Sequence, residues 1–197
     1  MPTTASEETR WLDLSAAADY LGVHFTTLRR WTDAGEVPCI RTPGGRRRYR
    51  LAELTAFGER VARLLADETA NWSRHPAAGE WSLTEIACHL RDVEREVHQA
   101  RFIALLEDDS AFLPGVDADE WAVTRNYQAQ DGRAAATAFV AARAETIARL
   151  APLPLDVWDR QGQHTFFGPT SLHELVYLAV QHDRVHGEQM ERIEVRS

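Results

Sequence analysis

The sequence predicts a mainly α-helical protein in two parts: a small helix-turn-helix module with a β-hairpin, then a four-helix bundle. Three observations predict it. Four long stretches repeat apolar residues at three- and four-residue spacing, the period of a half-buried helix. Two of these stretches open on Ser-x-x-Glu, at Ser82 to Glu85 and Ser171 to Glu174, the form of a capping box. The first sixty residues instead hold two short helical segments, a Pro-Gly-Gly turn and a run of arginines.

Composition narrows the function classes. The chain of 197 residues has room for one or two domains, and its apolar and charged fractions, 44% and 26%, are those of a globular protein. No apolar run approaches the ~18 residues of a membrane span. The N-terminus, MPTTASEETR, is polar and acidic rather than a secretory leader, so a cytoplasmic location is expected. Cys39 and Cys88 lie far apart, which argues against a disulfide framework or a cysteine zinc site. The net charge is -8, yet residues 24–50 hold seven arginines against only Asp33 and Glu36. A basic patch on an acidic chain points to a bounded polyanion site, and double-stranded DNA is the expected partner.

Residues 1–10 read as a disordered tail. A helix-turn-helix module is expected over 11–58. Ser15 is placed to cap a short helix, Ala16 to Leu21, which Gly22 ends. A second helix runs from about Phe25 to Ala34, with Gly35 as its stop. Thr26, Thr27, Arg29 and Arg30 lie near its start, where side chains reach base edges in the major groove. Val37 to Thr42, the turn Pro43-Gly44-Gly45 and Arg46 to Arg50 form the expected hairpin. Arg46, Arg47 and Arg48 beside Tyr49 make a basic wing suited to phosphate or the minor groove. An isolated basic triplet is more often a solvated strand edge; its place after a helix-turn-helix pattern favours DNA contact. Ala17-Ala18, Tyr20 to Val23, TLRRWTDAGEVP (Thr27 to Pro38) and GGRRRYRLAEL (Gly44 to Leu54) together resemble the MerR-type and excisionase-type winged helix-turn-helix domains. The resemblance covers nearly the whole module and implies DNA binding through those threonines and arginines.

The bundle is expected over 59–197. Leu51 to Trp72, with Leu54, Phe57, Val61, Leu64 and Leu65 in register, reads as a linking helix, with the boundary near Phe57-Gly58. Ser73 to Trp81 is a loop by composition. A helix from Ser82 to about Glu107 follows, its apolar set including Leu83, Ile86, Leu90, Val93, Val97 and Ile103. Asp108 to Gln130 is a long polar connection, Asp131 to Leu150 a third bundle helix, and Leu155 to Pro169 a loop with short extended pieces. The last helix, from Ser171, buries Leu172, Leu175, Val176 and Ala179 on one face.

His182 and His186 stand one turn apart on this last helix, and two imidazoles so placed can chelate one divalent metal. Such a pair is more often chance than a site, and Asp183 after His182 excludes the HExxH of a metalloprotease. His89 lies inside the apolar stripe of its helix, where a lone histidine is usually a hydrogen-bonded core residue. At about 100° per residue His173 falls opposite His182, and His98 opposite His89. His164 is a loop residue at the edge of the site, and Cys88 is packing. Asp92, Glu96 and Asp183 are the nearby acids, read as solvated surface.

GEWSLTEIACHLRDVE (Gly79 to Glu94), FFGPTSLHEL (Phe166 to Leu175) and LAVQHDRVHGEQM (Leu178 to Met190) together resemble the DinB/YfiT-like metal-binding bundles. The resemblance covers essentially the whole second half. It implies His89, His182 and His186 as three protein ligands to Zn2+ or Ni2+, with at least one coordination position open. Three functions follow as expectations. The first is a DNA-binding transcriptional regulator, a homodimer whose bundle senses metal and a small-molecule or thiol effector. The second is a metal-dependent thiol S-transferase of the mycothiol or bacillithiol type, or a hydrolase, with an accessory DNA-binding module. The third is an excisionase-like architectural protein whose bundle only oligomerises.

Overall fold

A computed structural model describes residues 40–41, 47–48 and 51–194, apart from 109 and 119. The tail over 1–10 and the helices expected over 16–21 and 25–34, with Thr26, Thr27, Arg29 and Arg30, lie outside the described residues. So does Arg46. The chain divides into two compact units between Ala52 and Glu53.

In the first unit, β1 (Ile40–Arg41) pairs antiparallel with β2 (Arg47–Arg48), Ile40 opposite Arg48 and Arg41 opposite Arg47. An antiparallel pairing of these two strands is what the expected wing hairpin requires.

The second unit is a helical bundle. Its long helices are α1 (Leu51–Ala66), the pair α2 (Leu83–Val93) and α3 (Ala100–Glu107), α5 (Gly132–Leu150) and α6 (Leu172–Glu194). Leu54, Phe57, Val61 and Leu64 of α1 are buried, as their spacing requires. The boundary expected at Phe57-Gly58 falls inside this helix, all of which beyond Ala52 belongs to the bundle. The helix ends at Ala66 rather than Trp72, where Asp67 takes the Thr69 N–H and hydroxyl into a local turn that competes with further helix.

Ser82 caps α2 as its sequence predicts. Its backbone N–H and hydroxyl donate to the Glu85 carboxylate, and its Oγ accepts from the Glu85 N–H. Ser82→Ala removes a buried cap and should cost about 1 kcal/mol, read as a lower urea midpoint with an unchanged slope. The same box stands at Ser171 and Glu174. α5 starts at Asp131, whose side chain accepts from the Ala134 N–H. A Cβ on Gly132 would stand 2.8 Å from the Thr84 Cα, so glycine lets α5 approach α2 closely there. The core between them includes Ile86, Leu90, Ala135, Ala136 and Phe139, with the Phe57 ring edge-on to Phe139 at 5.9 Å.

Between α2 and α3, Glu94–Gln99 is a π-helical turn. The helix expected over 82–107 is therefore continuous but not uniform. Each residue of the wider i→i+5 turn advances by fewer degrees than the ~100° of an α-helix. The apolar face shifts accordingly: Phe102 and Leu105 are buried, while the expected Ile103 is only partly so.

The two long connections hold more structure than their composition suggests. The first contains β3 (Phe112–Leu113), the short α4 (Trp121–Thr124) and a 3-10 turn with the fully buried Tyr127. The second contains a 3-10 turn (Leu155–Asp159), β4 (Gln161–His164) and β5 (Gly168–Ser171). β3 runs parallel to β4, and β4 antiparallel to β5, so residues some fifty positions apart close one small sheet. Along β4 burial alternates with the period of two of a strand, which turns Gly162 and His164 inward. Among the described residues no helix is long and apolar enough to cross a membrane.

Candidate metal centre

α2 and α6 bring three histidines to one point. His89 Nε2 lies 3.0 Å from His182 Nε2, which lies 3.2 Å from His186 Nε2. One nitrogen from each ring lies within 4.8 Å of the other two. Ligands 2.0–2.1 Å from a tetrahedral zinc would stand roughly 3.3 Å apart, so the spacing suits one small cation. Burial, then the neighbouring histidines, pushes His89 down to about 3 and holds His182 well below the usual imidazole range. Burial also lowers His186. All three are thus neutral near pH 7, the form that donates a lone pair. His186 Nδ1 donates to Gln189 Oε1 at 2.7 Å, which leaves Nε2 as its lone-pair nitrogen. Three inward lone pairs repel unless a proton or cation lies among them. The donor set therefore fits a divalent metal.

Trp81 closes one side. Its ring is parallel to His186 at 5.9 Å and tilted to His89 at 5.0 Å. On the other side a cavity of about 490 Å³ reaches His89 and His182 between helix and sheet. His98 lines it, with its ring edge-on to His182 at 5.4 Å. This corrects the expected placement of His98 opposite His89: His98 lies within the π turn, whose wider winding carries it round to the site. His164 also lines the cavity and is buried, where composition suggested a loop edge.

The nearby acids differ from their expected solvated state. Asp92 is buried and accepts from Arg91, from Arg125 at 2.8 Å and from the Tyr127 hydroxyl at 2.8 Å. Against the penalty of burial, these bonds hold its carboxyl below the usual range. Asp183 is 3% exposed and bonded to both terminal nitrogens of Arg143. Burial pushes it up to about 6 despite that guanidinium. Glu96 alone is exposed, bonded to Arg125. Cys88 is buried packing, its thiol pushed up to about 11 by burial. Sequence reasoning missed Gln189, Trp81 and Arg143. Gln189 lies three residues after His186, on the same helix face, and was the one with a readable signal.

Residues 51–190 match the family model of the DinB superfamily. The chain belongs to that superfamily. Residues 11–60 match a helix-turn-helix domain model, so a DNA-binding domain precedes the DinB bundle. A solved structure, described as YfiT from Bacillus subtilis, a probable metal-dependent hydrolase with an unusual four-helix bundle topology, shares the fold. It aligns at a TM-score of 0.64 and 17% identity over 74% of this chain and 85% of that one. A curated relative, the transcriptional repressor DcmR of Methylorubrum extorquens, is 47% identical over 51 residues. Those residues are 25% of this chain and 19% of the repressor, so the chain spans about a fifth of the length of that relative.

Proposed function

We propose that this protein is a transcriptional regulator that binds double-stranded DNA through its helix-turn-helix domain and senses through its DinB bundle. In this reading His89, His182 and His186 hold one divalent ion, Zn2+ or Ni2+, and a small-molecule or thiol effector reaches it through the adjoining cavity. The observation that carries the metal is the meeting of three neutral imidazoles within 4.8 Å. The DNA-binding half is supported by the domain match and by the likeness to a repressor. The recognition residues are Thr26, Thr27, Arg29 and Arg30, with Arg46, Arg47 and Arg48 on the wing. The working form is a homodimer reading two half-sites, since one small module contacts little DNA.

The bundle offers a route from site to linker. α6 carries His182 and His186 and packs on α1 through Arg60–Glu191 at 3.0 Å, with Gly187 against Phe57 and Arg60. Arg143 bridges Asp183, next to His182, and the Leu54 carbonyl in the first turn of α1. α1 follows the wing directly in the chain. A ligand that shifts α6 thereby biases the helix leading out of the DNA-binding domain.

Enzymatic use of the same site, as a thiol S-transferase or hydrolase, is the second reading, favoured by the cavity that opens on the histidines. A bound divalent ion would supply Lewis-acid polarisation there. Asp92, Glu96 and Asp183 are each held by an arginine, so none stands ready as a general base; this favours sensing over hydrolysis.

The test is affinity for the DNA upstream of its own gene at fixed salt, metal-loaded against chelator-stripped. A change of about tenfold, ~1.4 kcal/mol of coupling, is expected. Arg46→Ala with Arg47→Ala should weaken binding and lower the salt slope by about 2. No metal dependence would separate the two halves, and an unchanged salt slope would remove the wing from the DNA interface.

A further inference from the structure

We propose that Phe166 is the gate of the cavity beside the three histidines: its ring, seated on Gly115, sets how fast an effector-sized molecule reaches them. This deepens the route proposed above and rests on that reading for what the entering molecule does. The gate itself stands on the geometry of the cavity mouth.

The burial of the lining residues gives the cavity a direction. His89, Val93 and Val97 are buried and form its inner end, whereas Phe166 is 72% exposed and lines the same space. The mouth therefore lies at the turn between β4 and β5. The connection that follows β3 forms the facing side, since Val116 and Ala118 also line the cavity and are partly buried. A molecule that enters from solvent passes between these two segments before it meets a histidine.

The backbones of the two segments are tied together. The Thr165 N–H donates to the Leu113 carbonyl at 3.1 Å, and the Gly115 N–H donates to the Thr165 hydroxyl oxygen at 2.9 Å. The Phe166 N–H donates to His164 Nδ1 at 3.2 Å, which fixes the turn from the other side. The ring of Phe166 then lies over Gly115, so close that a Cβ there would stand 2.6 Å from its Cζ. Glycine is what this seat requires, because a side chain at 115 would push the ring away. Its other aromatic neighbour is the His164 ring, with centroids 5.9 Å apart. A ring this exposed loses little burial when it swings off its seat, and exposed side chains change rotamer quickly. The moving part of the mouth is thus one side chain on a fixed turn. Seated, it narrows the opening; swung out, it widens it, with no rearrangement of the helices that hold the histidines.

The experiment follows carbethoxylation of His182, which lines the cavity, by diethyl pyrocarbonate in the full-length, chelator-stripped protein, read by peptide mass spectrometry. Phe166→Ala should speed this modification about tenfold, the scale on which a small change in pocket size discriminates between molecules. Gly115→Ala should do the same, because its new Cβ displaces the ring while leaving Phe166 in place. Phe166→Tyr keeps the ring and should match the wild type. His75, exposed and away from the cavity lining, is the internal reference and should react at one rate in all four proteins. Unchanged His182 rates in both alanine variants overturn the gate. A gain in Phe166→Ala without one in Gly115→Ala also overturns it, since the seat would then not set the opening. So does a gain that His75 shares, which marks general loosening of the fold. The measurement needs no metal: its failure leaves the metal sensor standing, and a protein that takes up no metal leaves the gate standing.

Discussion

Arg143→Ala is expected to destabilise the DinB bundle by about 3–5 kcal/mol, among the largest effects of any single substitution. Arg143 is 2% exposed, and its terminal nitrogens bond Asp183 on α6, Glu94 in the π turn and the Leu54 carbonyl on α1. Glu94 is itself 1% exposed and accepts a further bond from Thr146. Removing the guanidinium leaves two buried carboxylates facing each other with no cation. Arg143→Lys should recover only part of the loss, since an ammonium cannot serve three forked partners at once. The pH dependence gives an independent check. Against the penalty of burial, Arg143 holds Glu94 below its usual 4.5. Glu94 therefore stabilises the wild-type fold above that pH, and this contribution is lost as pH falls through its lowered value. Without Arg143, burial, the largest influence on Glu94, is opposed only by His98 and the Thr146 hydroxyl, so its carboxyl rises and acid favours the folded variant over its unfolded chain. The deficit should be largest at pH 8 and shrink towards pH 4, measured by urea unfolding of the metal-free proteins. A loss below about 1 kcal/mol at pH 8 would mean that the two carboxylates are not ionised in the fold.

His182→Ala should lower affinity for Zn2+ or Ni2+ by more than about a hundredfold, because the His182 nitrogen lies between the other two. The estimate is a floor: partners that merely orient a ligand histidine are worth about 10- to 100-fold. Gln189→Leu tests that smaller effect. It frees His186 Nδ1 and should cost about tenfold, with the fold intact. Competition with a chelator of known affinity gives both numbers. His173→Ala, on the same helix with its ring 5.2 Å from Trp158, is the control expected to change neither. If His182→Ala bound metal as the wild type does, the three-histidine assignment would be wrong. Loss of metal without any change in DNA affinity would leave the centre in place but detach it from regulation.

How much of the site could be read in advance depended on how local its causes are. His182 and His186 were readable because one helical turn fixes their relation whatever surrounds them. The helix starts at Ser82 and Ser171 were readable because a capping box is closed within four residues. His98 was not. Its direction depends on a π turn, and nothing in Glu94–Gln99 read alone announces one. Asp92 and Asp183 looked like surface acids because their partners, Arg125 and Arg143, lie 33 and 40 residues away. His164 alternates with Gly162 along β4, but a four-residue alternation becomes a strand only when β3 and β5 supply its hydrogen bonds.

The amino-acid sequence by itself determined the two-part plan, the long helices with their caps and buried faces, and the histidines one turn apart. These follow from spacing, capping and composition, which act over a few residues. The tertiary structure decided what local pattern could not: that His89, given as a third ligand only by the resemblance to DinB/YfiT-like bundles, meets that pair, that His98 and His164 line one cavity beside it, and that Arg143 ties α6 to the first turn of α1. Each of these is a meeting of segments roughly forty to a hundred residues apart, set by packing in three dimensions rather than by local preference.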